Sequence, residues 1–487
     1  MPEPKTWLAF DLGAESGRAF TGRLSGGIIT IEEIHRFANE PIEYAGACHW
    51  DILRIWLEMG KALSAVTGRL EGLGVDSWGV DYALLDRSGE LIRNPYHYRD
   101  PRNVTAMAEA LQSVSRETIY RATGIQFMPI NTLYQLFAMK TRTPEVLAAA
   151  RTLLMIPDLF HYWFTGRAIC EYTDATTTQL VDPRTRAWSD DLIERFGLPA
   201  HLFTEIVEPG TIVRPLRGPA PHAGTPVIAP ASHDTGSAVA SVWAREGGAF
   251  LSSGTWSLVG VEIDEPIVSD EALRLNFTNE GGVNGTTRFL KNVMGLWMLQ
   301  GCRRSWSADG REFDYASLID EATQAPPFRA LIDPDDASFL NPPDMPAAID
   351  AFCRRTEQPS PKSPGEYART ILESLALKYR IVIEGIERLT GNRITQIRVI
   401  GGGSKNHVLN RFTADATGRR VIAGPSEAAV LGNLGVQMLA TGAATSINEV
   451  RAIIHRSFLT EIYEPAESDK WRAQTVRFEQ YCELAYA

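Results

Sequence analysis

Residues 7–24 read WLAFDLGAESGRAFTGRL, which is an apolar run, a turn of small residues and a second apolar run. We predict strands from Trp7 to Asp11 and from Ala19 to Leu24, because each run is short, apolar and bounded by glycine or serine. A third predicted strand extends from Ile28 to Ile34. The chain therefore opens with a meander of strands.

Residues 250–261, FLSSGTWSLVGV, resemble this opening. Each stretch is an apolar run that is interrupted by a glycine, with a serine three residues later. The second stretch follows a proline-rich segment, residues 209–230, which indicates a domain boundary. We expect two domains of similar topology, residues 1–240 and 241–487, each with a hairpin that faces phosphate groups.

Farther along the chain, predicted strands alternate with predicted helices, which favours an α/β fold. The best-defined helix begins with a capping box, in which Ser363 and Glu366 flank Pro364, and it ends at Gly391. Residues 325–364 are rich in proline and aspartate, and we interpret them as a surface excursion. We expect the C-terminal segment to form a helix that packs back onto the second domain.

Composition and charge argue against several classes of protein. The 487 residues are 44% apolar and 22% charged, which is ordinary for a globular protein of about two to four domains. The net charge is 48 − 59 = −11, so we expect no nucleic-acid partner and no membrane-surface role. No signal region or membrane-spanning run is apparent. The five cysteines include no Cys-x-x-Cys pair, so reduced thiols and a cytoplasmic location are expected.

Asp11 is the candidate carboxylate for a metal ion. The nine histidines form no array with metal-ligand spacing, so we expect no built-in zinc site. A Mg²⁺ ion held mainly by phosphate groups needs only one or two carboxylates. Asp11 precedes the turn from Gly13 to Gly17, whose N–H groups can point at phosphate oxygens. The alternative is a solvated aspartate that begins a hairpin.

Asp76 and Asp81 flank a short segment that could bind a sugar. Trp78 offers an apolar face to a sugar ring, and Asp81 can accept hydrogen bonds from hydroxyl groups. On a single strand the odd separation of the two aspartates places them on opposite faces, unless Gly79 forms a bulge. The alternative is a core aromatic residue with aspartates at strand ends.

Asp234 is the candidate base. It lies in SHDTG, residues 232–236, near the predicted domain boundary. A carboxylate there can accept the proton of a substrate hydroxyl as that oxygen attacks phosphorus. The alternative is a helix N-cap, and both roles can hold together.

Glycines 401–403 follow a predicted strand, residues 394–400, and precede a predicted helix from Asn406. This arrangement lets a ligand approach backbone N–H groups at a helix N-terminus. The alternative is a tight strand-to-helix turn. No P-loop or dinucleotide-binding glycine motif occurs in the right context, which argues against those two kinds of nucleotide site.

Seven segments, in this order along the chain, resemble the FGGY type of carbohydrate kinases, and within that family the members that phosphorylate L-rhamnulose. They cover about residues 7 to 440. The segments are 11–18 (DLGAESGR), 74–86 (GVDSWGVDYALLD), 98–100 (YRD), 232–235 (SHDT), 252–258 (SSGTWSL), 291–297 (KNVMGLW) and 401–406 (GGGSKN).

The resemblance implies two actin-like (ribonuclease H-like) domains with an ATP-binding cleft between them. It implies transfer of the γ-phosphoryl group of ATP, with Mg²⁺, to the 1-hydroxyl of L-rhamnulose, giving L-rhamnulose 1-phosphate. The catalytic base then falls on Asp234, and Asp11 holds the metal ion. The implied nucleotide residues are Gly13, Ala14, Glu15, Ser16, Gly17, Thr255, Asn292, Gln300 and Gly402, with Gly401 beside them. The implied sugar-side residues are Gly79, His233, Asp234 and Thr235, next to Trp78 and Asp81, with Tyr134 and Gln135 as further candidates.

Three alternatives stay open at this point. One is a kinase for another ketose: L-fuculose, L-ribulose or D-xylulose. Another is a glycoside hydrolase that uses Asp76 and Asp81, although it gives no role to glycines 401–403. The third is a non-catalytic sugar sensor, although no basic helix-turn-helix region is apparent. The expected partners are a sugar and ATP, and the chain is expected to be a monomer or a homodimer.

Overall fold

The computed structural model describes residues 4–218 and 222–486, with strands and helices interleaved as in an α/β protein. The strands are β1 (Lys5–Leu12), β2 (Ser16–Ser25), β3 (Ile28–Ala38), β4 (Pro41–Tyr44), β5 (Ala47–Trp50), β6 (Gly72–Ser77), β7 (Tyr82–Leu85), β8 (Thr152–Met155), β9 (Cys170–Glu171), β10 (Val181–Asp182), β11 (Ala187–Trp188), β12 (Ile206–Val207), β13 (Thr211–Pro215), β14 (Pro226–Ala229), β15 (Gly248–Ser253), β16 (Trp256–Ile263), β17 (Thr278–Gly281), β18 (Thr287–Met294), β19 (Gln396–Ile400), β20 (Arg420–Ala423) and β21 (Glu461–Tyr463). The helices are α1 (Ile52–Ala65), α2 (Arg102–Ser113), α3 (Arg116–Thr123), α4 (Thr132–Arg142), α5 (Pro144–Ala149), α6 (Ile156–Thr165), α7 (Tyr172–Ala175), α8 (Asp190–Arg195), α9 (Asp234–Ala240), α10 (Asp270–Arg274), α11 (Trp297–Ala308), α12 (Tyr315–Gln324), α13 (Met345–Arg355), α14 (Pro364–Thr390), α15 (His407–Thr417), α16 (Ala428–Ala440), α17 (Ile447–Ser457) and α18 (Ser468–Tyr486).

The opening stretch forms the middle of a six-stranded sheet with the order β13-β14-β6-β1-β2-β3. β1 pairs antiparallel with β2 and parallel with β6, so the predicted opening hairpin is confirmed. Trp7 and Ala9 pack against residues of α16, whereas Phe10 stacks on Phe164 of α6. Alternate side chains of β1 are thus buried on opposite faces of the sheet, which explains why the whole run is apolar.

The second sheet has seven strands in the order β17-β18-β16-β15-β19-β20-β21. β15 pairs antiparallel with β16 and parallel with β19, and β20 is parallel to β19 and antiparallel to β21. The first sheet repeats this arrangement in the order β2-β1-β6-β14-β13. There, β1 pairs antiparallel with β2 and parallel with β6, and β14 is parallel to β6 and antiparallel to β13. The predicted similarity between residues 250–261 and the opening stretch is therefore confirmed in the strand topology.

Contacts group the chain into two compact units that exchange segments. The first unit comprises Met1–Val242, Glu262–Phe289 and Ala428–Phe458, and the second comprises Trp243–Val261, Leu290–Glu427 and Leu459–Ala487. The longest segment of the first unit ends next to the boundary predicted at residue 240. A single boundary does not describe the two later segments of the first unit. The last of them belongs to this unit because α16 supplies apolar side chains to the core around Trp7.

Two helices of the second unit follow the sequence-based expectations. The side chain of Ser363 accepts the N–H of Glu366 at the start of α14, and Gly391 ends that helix with φ 70°. Near the C-terminus, Trp471 and Phe478 of α18 are buried against residues of α14 and α15. The C-terminal helix therefore packs on its own unit.

Residues 325–364 differ from the predicted surface excursion, because part of this segment is core. Leu331, Ile332 and Phe339 are fully buried, and α13 lies within the segment. The buried Gln358 side chain accepts the N–H of Leu331 at 2.9 Å and donates to its carbonyl at 2.8 Å. The Gln358 side chain thus satisfies both backbone groups of Leu331. The proline and aspartate content of the segment did not indicate this buried part.

Among the residues that the structure describes, no helix is long and apolar enough to cross a membrane. The five cysteines are free thiols, and Cys170, Cys302 and Cys353 are buried. Burial raises the pKa of the Cys170 thiol well above its usual range, so this sulfur is held as an unreactive thiol.

Candidate active site

The turn after Asp11 lies at the end of β1 in the first unit. The Asp11 carboxylate is buried and forms an ion pair with Arg18, its cross-strand neighbour on β2. The N–H of Gly13 donates to the Ser16 carbonyl at 2.9 Å, and the Asn39 side chain donates to the Gly13 carbonyl at 2.9 Å. The predicted phosphate-facing residues are Gly13, Ala14 and Ser16, which are partly exposed, Glu15, which is exposed, and Gly17, which is buried.

Asp76 lies next to Asp11, in register on the parallel strand β6. It is fully buried, and its Oδ2 accepts a hydrogen bond from the Asn433 side chain at 2.6 Å. Burial, followed by the Asp11 charge, raises the pKa of Asp76 well above its usual range. Its Oδ1 has no hydrogen-bond partner within the described part of the chain, which fits a cation or an ordered water at this edge of the sheet.

A metal ion would depend on the phosphate groups of a ligand. Within residues 4–218 and 222–486, no group of three or more His, Cys, Asp or Glu side chains has the arrangement of a metal site. Asp11 with the neighbouring Asp76 supplies at most two carboxylates, the number that Mg²⁺ uses when phosphate oxygens and water complete its shell. These residues therefore fit a Mg²⁺ ion that arrives with a nucleotide.

Asp81 binds protein donors and has no exposed surface. Its Oδ2 accepts hydrogen bonds from the indole N–H of Trp50 at 2.6 Å, from that of Trp78 at 3.0 Å and from the backbone N–H of Tyr98 at 3.2 Å. Its Oδ1 accepts from the Gln135 side chain at 2.8 Å. Burial raises the pKa of Asp81 to about 7. Asp81 was expected to accept hydrogen bonds from sugar hydroxyls, and in this structure its oxygens face protein groups and hold two indole rings in place.

The Trp78 ring offers less surface than the sequence suggested. It packs on the Trp50 ring with centroids 4.1 Å apart, and only 5% of the residue is exposed. Trp50 in turn packs on His97 at 4.2 Å. Tyr134 is fully buried, and Gln135 is 1% exposed. Trp78, Tyr134 and Gln135 thus lie mostly behind the surface that a sugar could reach.

Gly79 and Val80 form a turn that is fixed by side chains of other elements. Val80 has φ 70°, which is strained for a β-branched residue. Its N–H donates to Thr177 Oγ1 at 2.9 Å, and its carbonyl accepts from Thr132 at 2.5 Å and from Gln135 at 3.2 Å. A Cβ on Gly79 would lie 2.9 Å from Thr177, so the close approach requires glycine. Strain that is held in this way is typical of functional sites.

Asp234 is the first residue of α9, and its side chain is 32% exposed. The Thr235 hydroxyl donates to Asp234 Oδ1 at 3.2 Å, and His233 Nε2 lies 3.5 Å from the same oxygen. The N-cap alternative for Asp234 is wrong, because His233 occupies the cap position. The structure thus places His233, Asp234 and Thr235 side by side. The Asp234 carboxylate is accessible, whereas Asp76 and Asp81 are buried.

A platform segment, residues 171–178, holds several parts of this site through hydroxyl and carboxylate groups. Burial raises the pKa of Glu171 in this segment to about 8. The site contacts of the segment are Glu171 Oε2 with Ser232 N at 2.9 Å, Thr173 Oγ1 with His233 N at 3.1 Å, Thr176 Oγ1 with Gly281 N at 2.8 Å, and Thr177 Oγ1 with Val80 N at 2.9 Å.

The second unit holds the glycine run after β19. Gly401 has φ 79° and packs against the Ser253 carbonyl, from which an added Cβ would lie 3.1 Å away. An added Cβ on Gly403 would lie 2.0 Å from Ser253 Oγ, whereas one on Gly402 would meet no atom within 4 Å. The helix predicted from Asn406 is α15, and the side chain of Asn406 caps it. Gly401 and Gly403 therefore serve close packing, and Gly402 borders open space, as a ligand-facing backbone requires.

The other predicted nucleotide residues of the second unit lie around the β15–β16 turn. The Thr255 carbonyl accepts the N–H groups of Gly295 and Trp297, each at 3.2 Å, which ties the turn to the start of α11. Gln300 lies on α11 and Asn292 on β18. Thr255, Asn292 and Gln300 are partly exposed, so a ligand can reach each of them.

Sequence reasoning missed the residues that hold the site without forming its surface. The platform segment carried a visible signal, since five of its eight residues are Thr or Asp, the types that bond to nearby backbone groups. Arg288 carried none, because it lies on an ordinary strand and contacts His233 across 55 residues of sequence.

Comparisons with known proteins agree with this architecture. Residues 6–240 match the FGGY family of carbohydrate kinases, N-terminal domain, and residues 249–441 match the C-terminal domain of the same family. Among solved structures, a xylulose kinase from Lactobacillus acidophilus superposes with a TM-score of 0.82 at 16% identity, covering 99% of each chain. A Plasmodium falciparum glycerol kinase with ADP gives a TM-score of 0.76 at 14% identity, again covering 99% of each chain.

Relatives with higher identity span nearly the whole chain. A protein named rhamnulokinase from Bacteroides thetaiotaomicron is 44% identical over 482 residues, which are 97% of this chain and 99% of the relative. A rhamnulokinase from Enterococcus faecalis is 44% identical over 473 residues, or 95% and 94% of the two chains. With both family domains matched in order and these relatives aligned almost end to end, the chain belongs to the FGGY family of carbohydrate kinases.

Proposed function

We propose that the protein transfers the γ-phosphoryl group of ATP to the 1-hydroxyl of L-rhamnulose, giving L-rhamnulose 1-phosphate and ADP. The sugar is supported by the two rhamnulokinases that are 44% identical to this chain. The observation that carries the mechanism is Asp234, a partly exposed carboxylate at the start of α9 that accepts a hydrogen bond from Thr235 and lies 3.5 Å from His233 Nε2. A different ketose has no comparable support.

The reaction needs one base and a positioned phosphoryl group. Asp234 accepts the proton of the 1-hydroxyl while the sugar oxygen bonds to the γ-phosphorus and the bond to the bridging oxygen of ADP breaks. Such a loose transition state depends on orientation and charge neutralisation more than on covalent chemistry. Mg²⁺ bound to the phosphates supplies part of that neutralisation, and Asp11 would hold it.

The sugar side is built from the first unit. The fixed turn at Gly79 and Val80 would present backbone groups to the sugar, and the small exposed part of Trp78 would border the ring. Asp81 acts indirectly in this proposal, by holding the indole of Trp78. Because Asp81 is buried and bonded, it is also a poor candidate for a glycosidase carboxylate.

The proposed nucleotide contacts come from the turn after Asp11 and from residues of the second unit. Backbone groups of Gly13 to Gly17 would face phosphate oxygens, and the backbone at Gly402 would border the nucleotide. Thr255, Asn292 and Gln300 would add side-chain contacts, because each is partly exposed.

The cellular setting stays a prediction. The five free cysteines suit a reducing compartment, and we propose the cytoplasm. The expected partners are the sugar and ATP, and the expected assembly is a monomer or a homodimer.

The substrate proposal is tested with a coupled assay of ADP release against L-rhamnulose, L-fuculose, L-ribulose and D-xylulose, with glycerol and no sugar as controls. We expect L-rhamnulose to give the highest kcat/KM by about tenfold or more, which is about 1.4 kcal/mol of discrimination. A higher kcat/KM for another ketose would reject L-rhamnulose as the substrate. No stimulation by any sugar would reject the kinase itself.

A further inference from the structure

The imidazole of His233 lies between a buried ion pair and Asp234. Arg288 Nη2 is 3.1 Å from His233 Nδ1, and His233 Nε2 is 3.5 Å from Asp234 Oδ1. Arg288 is fully buried on β18, where its Nε donates to the Gly281 carbonyl at 2.7 Å and its Nη1 lies 3.2 Å from Glu280. Each edge of the imidazole thus meets a different charged group.

Arg288 decides which ring nitrogen carries the proton. A guanidinium has only donors, so the nitrogen that it contacts must present a lone pair. The contact is with Nδ1, which leaves the proton on Nε2, the nitrogen that faces Asp234.

Glu280 makes the contribution of Arg288 necessary. Glu280 Oε2 is 3.5 Å from His233 Nδ1 and would accept a proton-bearing Nδ1 if Arg288 were absent. The ring would then turn a bare Nε2 lone pair toward the Asp234 carboxylate, and the two lone pairs would repel each other. Burial lowers the pKa of Arg288, whereas the charges of Glu280, Glu171, Asp234 and Glu262 act in the opposite direction.

We propose that Arg288 is a positioning residue that fixes His233 in the neutral Nε2–H form, so that this N–H orients the Asp234 carboxylate. The inference rests on the proposed role of Asp234 as the base. It assigns a function to an arginine that has no exposed surface.

The direct test is the protonation pattern of the His233 ring, read from ¹⁵N–¹H correlation spectra of the full-length protein labelled on histidine nitrogens, with His233→Gln to assign the signal. In the wild type we expect a bare Nδ1 and a protonated Nε2 near neutral pH. In Arg288→Met we expect the proton to move to Nδ1, and kcat to fall about tenfold to a hundredfold, with the KM for ATP changed by less than about twofold.

A double variant separates this role from a loss of stability. In Arg288→Met with Glu280→Gln, the amide can donate to Nδ1, so we expect the Nε2–H form and most of kcat to return. The matched control is Arg369→Met with Glu373→Gln, an ion pair of the second unit with an N–O distance of 2.7 Å. It should lose stability and leave the His233 spectrum unchanged.

The outcomes are decisive. A protonated Nδ1 in the wild type, or an unchanged ring in Arg288→Met, would overturn the proposal. Because the spectrum is recorded without substrate, it does not depend on which sugar is used. A failure of the proposed function would appear instead in the activity of Asp234 variants, with the His233 ring as predicted.

Discussion

The backbone N–H of Ser232 donates a hydrogen bond to the Glu171 carboxylate at 2.9 Å. The same oxygen accepts from the Thr173 hydroxyl at 2.5 Å. Ser232 lies two residues before the candidate base Asp234, and Glu171 is fully buried. A carboxylate that never meets solvent therefore fixes the chain immediately before the proposed catalytic residue.

Glu171→Gln tests this fixing role, because it keeps the side-chain volume and replaces one acceptor oxygen by a donor. Above about pH 8, where Glu171 is ionised, we expect the free energy of unfolding to fall by about 1–3 kcal/mol, since a buried donor loses its acceptor. We also expect kcat to fall about tenfold as the Asp234 segment shifts. Urea denaturation and steady-state kinetics measure both effects. The control is Glu205→Gln, whose side chain is 66% exposed and should change neither quantity. Wild-type kinetics in Glu171→Gln would contradict the role.

The free energy of unfolding should fall as pH rises from about 6.5 to about 8.5. Burial raises the pKa of Asp81 to about 7 and that of Glu171 to about 8, so the folded protein keeps protons that the unfolded chain has already lost. The stability from each group is complete below the unfolded pKa, near 4, and is lost through the folded pKa, with a slope of at most about 1.4 kcal/mol per pH unit per group. Urea denaturation at several pH values measures this slope.

Below this pH range, His97 changes the free energy of unfolding in the opposite direction. Burial lowers the pKa of His97 to about 3, so protonation of the unfolded chain destabilises the fold as pH falls through about 6.5. The free energies of unfolding should therefore be compared at neutral pH and above. A flat or rising stability there would contradict the burial of the two carboxyl groups.

Much of the fold followed from local patterns, since the opening hairpin, the capped helix α14 and the strand that enters glycines 401–403 each depend on neighbouring residues. The site could be predicted less completely from local patterns. The protein partners of Asp81 were not predicted, because Trp50 lies 31 residues away, and Val80 turns the chain so that Asp76 and Asp81 do not share a strand. Arg288 was missed for the same physical reason, because its partner is chosen by tertiary packing.

Gly432→Ala should displace α9, the helix that begins with Asp234. An added Cβ at Gly432 on α16 would lie 1.7 Å from the Ser237 carbonyl, which is backbone and cannot move aside alone. We expect a loss of about 1–3 kcal/mol in the free energy of unfolding, together with a lower kcat. The control is Gly60→Ala on α1, where no atom lies within 4 Å and alanine should be neutral or stabilising by about 0.5–1 kcal/mol. Equal stabilities of the two variants would contradict the close packing.

Two neighbouring glycines of the second unit should respond differently. Gly403→Ala should destabilise the protein by about 1–3 kcal/mol, because its Cβ would meet Ser253 Oγ at 2.0 Å. Gly402→Ala should leave stability unchanged and raise the KM for ATP about tenfold, since its methyl group enters space that we assign to the nucleotide. Thermal unfolding and ATP titrations at saturating sugar separate the effects. An unchanged KM for ATP in Gly402→Ala would remove Gly402 from the nucleotide site.

The central claim is that Asp234 is the base for phosphoryl transfer to a sugar hydroxyl, and Asp234→Asn tests it most directly. Sugar-stimulated ADP release is measured beside calorimetric binding of the sugar, with Asp270→Asn, whose side chain is 83% exposed, as the control. We predict that kcat falls by roughly 10²–10⁴ while the Kd for the sugar changes by less than about threefold. A kcat within about threefold of the wild type would contradict the account, because a base that supplies the usual rate gain cannot be lost without effect.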